Sequence, residues 1–274
     1  MIQPSFLLRV EAGRFAGSYW QELWQHRELA WFLARRDLLV RYKDTALGVA
    51  WALIRPFLTM LIMVVVFHHF AGFSGQGAAY PVLVFAALLP WQLFSSAVSE
   101  VGNSLLQNSH VITRVYFPRL VLPLAAMAVA LVDFAVTLAL LALLMLWYGH
   151  APGSAILALP AFIALALCVA LAAGVWASAL QVRYRDVRFI LPFVVQFGLY
   201  LSPVGFSSAI VPESYRLLYS LNPMVGVIDG FRWCLLGQPP YWPAAGLSVI
   251  VTAVLLATGV RYFRTVERTV ADLV

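Results

Sequence analysis

PFLTMLIMVVVFHHFAGFSGQGAAYPVLVFAALLPWQLFSSAVS, residues 56–99, runs forty-four residues without an Asp, Glu, Lys or Arg. A bilayer core takes roughly 20 apolar residues per helix. The stretch therefore reads as most of two crossings, near 51–71 and 81–101. Three further charge-free runs of more than twenty residues follow. This is the pattern of an all-α, polytopic integral membrane protein.

Composition agrees. Of the 274 residues, 62% are hydrophobic and 11% charged, and the mean hydropathy is +0.86. A soluble domain could not cover that much apolar surface with so few charges. The excess of Lys and Arg (18) over Asp and Glu (12) would suggest nucleic acid in a soluble chain, but here the basic residues sit in short loops between apolar runs, so no nucleic-acid partner is expected. Cys168 and Cys234 offer neither a disulfide framework nor zinc spacing. The segment from Met1 to Arg14 has no basic stretch followed by a long apolar core, so no cleavable signal peptide is expected.

Working outward, the remaining spans are expected near 120–148, 155–181, 189–203 and 243–262, six in all within a transmembrane domain 51–274. Sixteen of the eighteen basic residues then fall on one side, leaving Arg216 and Arg232 on the other. The positive-inside rule places both termini in the cytoplasm. The fifth span is irregular, broken by Pro192, Gly198, Pro203 and Gly205. The region 205–241 that follows is too polar to cross, yet holds amphipathic pieces near 213–221 and 224–236 around Asn222-Pro223. Irregular backbone at membrane depth survives only where protein or a wet cavity satisfies it, so two short re-entrant helices are expected on the outer face.

Residues 1–50 form the cytoplasmic N-terminal region. In it Trp20, Trp24, Trp31 and Leu38 share one helical face, with Glu22, Gln25, Arg36 and Lys43 opposite. Such a helix lies in the membrane interface. Arg35, Arg36, Arg41 and Lys43 would contact anionic lipid there, or a pyrophosphate on a substrate.

Motifs for chemistry are missing. No G-x-x-x-x-G-K-[ST] occurs, so ATP cannot be cradled by that route, and any ATP dependence must come from another polypeptide. No H-E-x-x-H, acid pair or Cys/His cluster appears, so neither a metal site nor an enzymatic activity is expected of this chain. His68 and His69 mark the outer end of a span. Asp133 is the one charge deep in an apolar run. It is costly there and should face other helices, either as a hydrogen-bonded structural carboxyl or as a proton relay.

Five segments carry a resemblance over essentially the whole chain, in order and at matching spacing. They are NSHVITRVYFPRLVLP (108–123), VRYRDVRF (182–189), LYLSPVGFSSAIVPE (199–213), LNPM (221–224) and FRTVERTVADLV (263–274). Together they resemble the permease of bacterial ABC exporters for polysaccharides, within the type-2 exporter superfamily. The likeness is greatest to O-antigen exporters, with capsule and teichoic-acid exporters related. The resemblance implies a homodimer of six-helix permeases in the bacterial cytoplasmic membrane, bound to two separate nucleotide-binding subunits that hold ATP and Mg. It also implies a coupling helix between spans 2 and 3, gate helices between spans 5 and 6, and a lipid-linked polysaccharide as cargo.

Under that resemblance, Val111, Ile112, Val115 and Tyr116 within 109–117 would share a docking face beside Arg114, ended by Pro118. The loop carrying Arg183, Arg185, Asp186 and Arg188 would lie on the same cytoplasmic side. On span 5, Phe189, Phe193, Gln196 and Tyr200 follow i, i+4, i+7, i+11 spacing. That face would either line a sugar path or pack against span 1. The competing classes are a small-lipid or drug exporter permease, a proton-coupled secondary transporter, and a membrane enzyme acting on lipid-linked sugars.

Overall fold

The computed structural model of the chain describes residues 16–43, 50–75 and 77–267. The described residues form helices with no strand among them. In order they are α1 (Ala16–Gln25), α2 (Arg27–Lys43), α3 (Ala50–Met63), α4 (Tyr80–Gln107), α5 (Ser109–Ile112), α6 (Val121–Trp147), α7 (Leu159–Arg183), α8 (Val187–Leu201), α9 (Glu213–Tyr219), α10 (Pro223–Leu236) and α11 (Trp242–Glu267). A π-helical turn, Val64–Phe70, continues α3, and a 3-10 turn, Ser154–Ala158, leads into α7.

Among the described residues, five segments are long and apolar enough to cross a membrane: Ala50–Phe70, Tyr80–Gln107, Val121–Trp147, Ser154–Arg183 and Trp242–Glu267. The sixth expected span is α8, with 15 residues. At 1.5 Å per residue it reaches about 22 Å, short of a hydrocarbon core about 30 Å thick.

α4 is the axis of the bundle. Buried residues make up 72% of its most apolar stretch, against 17% for the α3 segment. From Val82 to Leu89 every side chain is buried, and a helix that is apolar all round belongs inside a bundle. α4 packs on α7, α6 and α10. Close approach to α7 rests on small residues at every fourth position, Ala166, Ala170, Gly174 and Ser178, all buried. A Cβ at Gly174 would come within 2.6 Å of Val101 on α4. Small residues at such a repeat let helix backbones approach, which matters where lipid supplies no hydrophobic drive.

Alternating direction gives the bundle two ends. At one, Arg119 N donates to Glu267 Oε1 (2.7 Å), and Tyr19 Oη donates to the same carboxylate (3.0 Å to Oε2), so α1, the start of α6 and the end of α11 meet beside α5. At the other, Tyr80 Oη donates to the Gly205 carbonyl (2.5 Å), tying the start of α4 to the chain after α8. α9 and α10 lie at that second end.

The N-terminal helix is not continuous. It breaks at His26, whose Nδ1 lies 2.7 Å from the Glu22 carbonyl oxygen. Leu33 and Ala34 of α2 are buried in a cluster with Val121, Leu122 and Phe263, whereas Trp20, Trp24 and Trp31 are exposed. The face that packs on protein is therefore not the tryptophan stripe.

Candidate functional site

At the α5 end, α2, α3, α4 and α6 surround a cavity of about 740 Å³. Its chemistry starts from Asp133, the carboxyl that the sequence places inside an apolar run. Arg41 Nη2 lies 2.7 Å from Asp133 Oδ2, and Arg41 Nη1 donates to Glu100 Oε1 at 2.6 Å. Tyr42 Oη donates to Asp133 Oδ1. Burial, then this bond to a carboxylate, pushes the Tyr42 hydroxyl up to about 12, so it stays a donor at physiological pH. One guanidinium thus serves two carboxylates from two different spans.

This revises two readings of the sequence. Asp133 is not a solitary ionisable group: Arg41 comes in from the N-terminal helix and Glu100 from the end of the charge-free run. Of the four cations expected to meet lipid or pyrophosphate, Arg41 is held by these carboxylates, and Arg36 is paired with Asp37 (2.7 Å) and donates to Asn108 Oδ1 (2.6 Å). Arg35 and Lys43 are exposed.

The rest of the cavity is rich in hydroxyls and amides. Gln92, Ser95, Ser96, Ser99, Gln107 and Thr137 line it, with Trp51 and Phe134 presenting rings and Arg55 a second cation. Carboxylates, hydroxyls and amides accept and donate hydrogen bonds to a polyol, and rings cover C–H faces. Asp37 is already paired with Arg36, so Glu100 and Asp133 stand against Arg41 and Arg55 and the lining charges balance.

The loop after α4 departs from the expected helix 109–117. α5 is a single turn, Ser109–Ile112, followed by a turn and a bend through Val115 and irregular chain to Pro118. Ile112 is buried and Val111 packs on the same cluster, while Arg114, Val115 and Tyr116 are exposed. Four apolar residues therefore do not share one face; Val115 and Tyr116 project at the tip. Arg183, Arg185, Asp186 and Arg188 are exposed near this end, with the Arg188 guanidinium 5.1 Å from the Phe189 ring centre.

α8 buries Val195 and leaves Phe189, Phe193, Gln196 and Tyr200 exposed. Ile190, Val194 and Phe197 are exposed as well, as are Phe57, Leu58, Leu61 and Ile62 of α3. The four expected residues are one part of a broad outward face.

At the other end, Asn222 caps α10, its Oδ1 accepting from Met224 N at 3.0 Å, with Pro223 in the first turn. α10 is almost wholly buried. Gly226 and Gly230 permit this, since a Cβ at either would fall within 2.6 Å of the Ala244 carbonyl and 2.1 Å of the Phe162 ring, respectively. Asp229 and Arg232, one turn apart, hold the segment after α8. Ser208 Oγ donates to Asp229 (2.6 Å), and Arg232 donates to the carbonyls of Phe206 (2.8 Å) and Val204 (3.0 Å). The sequence places Arg232 on the outer side without assigning it partners; its spacing from Asp229 beside a G-x-x-x-G on the same helix was the available signal.

The chain belongs to the ABC-2 type transporter family, whose sequence model matches residues 28–236, from α2 through α10. The cavity, the α5 loop, α8 and the α9–α10 pair all lie within the match. It is 30% identical over 214 residues to the O-antigen export system permease protein RfbA of Myxococcus xanthus, covering 77% of this chain and 82% of that one. A protein of the same description from Klebsiella pneumoniae is 23% identical over 242 residues, covering 88% and 93%. The polysialic acid transport protein KpsM of Escherichia coli is 24% identical over 241 residues, covering 85% and 91%.

Proposed function

We propose that the chain is the membrane-embedded subunit of an exporter that carries a lipid-linked, O-antigen-like polysaccharide across the bacterial cytoplasmic membrane, powered by ATP hydrolysis on a separate nucleotide-binding subunit. The observation that carries the proposal is the near full-length relationship to O-antigen export permeases. The working unit is a homodimer with two nucleotide-binding subunits, which hold ATP and Mg. The α5 end, where the basic residues gather, faces the cytoplasm. There the projecting Val115 and Tyr116, beside Arg114, offer apolar contact to the nucleotide-binding subunit.

In this reading α8 and the turns that follow it complete a sixth crossing, and α9 and α10 form the re-entrant gate. The exposed faces of α3 and α8 meet the second copy around a conduit to which Phe193, Gln196 and Tyr200 contribute. The tryptophans of α1 and α2 sit in the lipid interface, and Arg35 and Lys43 meet headgroups there. The cavity around Arg41, Asp133 and Glu100 opens toward the cytoplasm and suits a hydroxyl-rich neutral glycan. Purification from native membrane tests the proposal: an ATPase should co-purify, with bound lipid-linked glycan. Recovery of neither would defeat it.

A further inference from the structure

A second, smaller cavity of about 290 Å³ lies at the opposite end of the bundle, between residues 207–209, α9, α10 and the chain that follows α10. Arg232 forms its floor and is 2% exposed. Its two carbonyl bonds, to Val204 and Phe206, fix the guanidinium plane, while Nε is buried and has no partner among the described residues. Arg216 comes from α9, with its guanidinium 5.1 Å from the ring centre of Tyr241 and its Nε likewise buried without a partner. The Nε2 of Gln238 is in the same state. Three elements thus bring Arg216, Arg232 and Gln238 to the wall of one small space, and each of these side chains has a buried nitrogen without an acceptor.

We propose that this cavity is a binding site for an oxyanion of phosphate type. Buried donors without acceptors destabilise the protein that holds them. A phosphate group supplies several acceptor oxygens at once, and its charge matches guanidinium groups better than a neutral hydroxyl would. The carboxylate in the lining, Asp229, does not fill this role, because Ser208 Oγ donates to its Oδ2 at 2.6 Å and it balances one of the two cations. The lining therefore carries one net positive charge. Pro239, Pro240 and Tyr241 form an apolar rim that suits a phosphate attached to a larger body. Such a group arrives either on a phospholipid headgroup or as the free ion. Bound, it would tie α9 to α10 and to the chain after α10 through charge-assisted bonds. The proposal needs neither a nucleotide-binding subunit nor a glycan, so it stands or falls separately from the export function.

The test uses the full chain in phosphate-free detergent solution and in nanodiscs of equal phosphatidylglycerol and phosphatidylcholine. Calorimetry with inorganic phosphate, at ionic strength matched by chloride, reads the free ion. Native mass spectrometry reads retained phosphatidylglycerol. Gln238→Glu places a carboxylate where a donor stood, and Arg216→Gln removes the half-buried cation; either should weaken binding about tenfold or more. Circular dichroism confirms that each variant keeps its helices, and the second variant keeps the test valid if the first misfolds. Retained phosphatidylglycerol that phosphate does not displace assigns the site to a headgroup, and displacement assigns it to the free ion. If the wild-type chain binds neither, or both folded variants bind as it does, the proposal is wrong.

Discussion

Replacing Arg41 with Gln removes the cation that Glu100 and Asp133 share, and the structure sets the size of the effect. The two contacts are 2.6 and 2.7 Å long, and the side chains are 34%, 30% and 16% exposed for Arg41, Glu100 and Asp133. A hydrogen bond to a charged group contributes about 1.5–3 kcal/mol, and one-third exposure calls for a value toward the lower end. Arg41→Gln also leaves two carboxylates without their counter-charge, so its cost is set at about 3 kcal/mol. Asp133→Asn should cost only about 1 kcal/mol, because Arg41 keeps Glu100 and Tyr42 can still donate to the amide oxygen. The double variant should cost about 2 kcal/mol, since removing the Asp133 charge relieves what the loss of Arg41 created. That corresponds to a coupling of about 2 kcal/mol between the two sites. Equilibrium unfolding of the purified chain in mixed detergent micelles measures all three. Effects that add to within about 0.5 kcal/mol would show that the pair does not interact. Export should survive Asp133→Asn in cells. Its abolition with normal assembly would point instead to proton coupling through Asp133.

Val115→Asp or Tyr116→Asp should weaken association with the nucleotide-binding subunit or uncouple hydrolysis from export while leaving membrane insertion intact, since a charge at the loop tip would have to be desolvated on docking; co-purification and ATPase assays read both effects. Phe193→Ala with Tyr200→Ala should slow export without preventing dimer assembly. Gln196→Cys, in a chain whose Cys168 and Cys234 have been replaced, should react with a polar thiol reagent; labelling by a lipid-soluble reagent alone would turn that face to lipid. Gly230→Ala should destabilise the chain by about 1–3 kcal/mol, because the new methyl would meet the Phe162 ring at 2.1 Å. Phe162→Leu in the same chain should restore part of the loss in an unfolding assay.

What was legible in the sequence follows from which constraints are local. Bilayer thickness sets the length of a crossing, so charge-free runs located the long helices, and Asn222-Pro223 marked the start of α10 because a cap and a first-turn proline are short-range signals. Proline-bounded α8 was found but counted as a full span, although its 15 residues fall short. The 109–117 loop has the residues of one amphipathic face, yet Val111 and Ile112 both turn inward onto the cluster with Phe117 and Leu120, and the single turn ends at Ile112. The charge network was out of reach for a different reason. Arg41 lies 59 residues from Glu100, and Tyr42 lies 91 from Asp133, so only packing of α2 against α6 brings them together. The side of α2 that meets protein is marked by Leu33 and Ala34 and not by the tryptophans, a choice made by the neighbouring helices and not by the local sequence.

Export itself is the central claim, and the location of the lipid-linked glycan measures it most directly. In cells lacking this chain, the glycan should be made but remain on the inner leaflet, inaccessible to an impermeant label in intact spheroplasts. Supplying the chain together with its nucleotide-binding subunit should bring the glycan to the outer leaflet, and a subunit unable to hydrolyse ATP should not. Glycan that reaches the outer leaflet equally well without the chain would contradict the account.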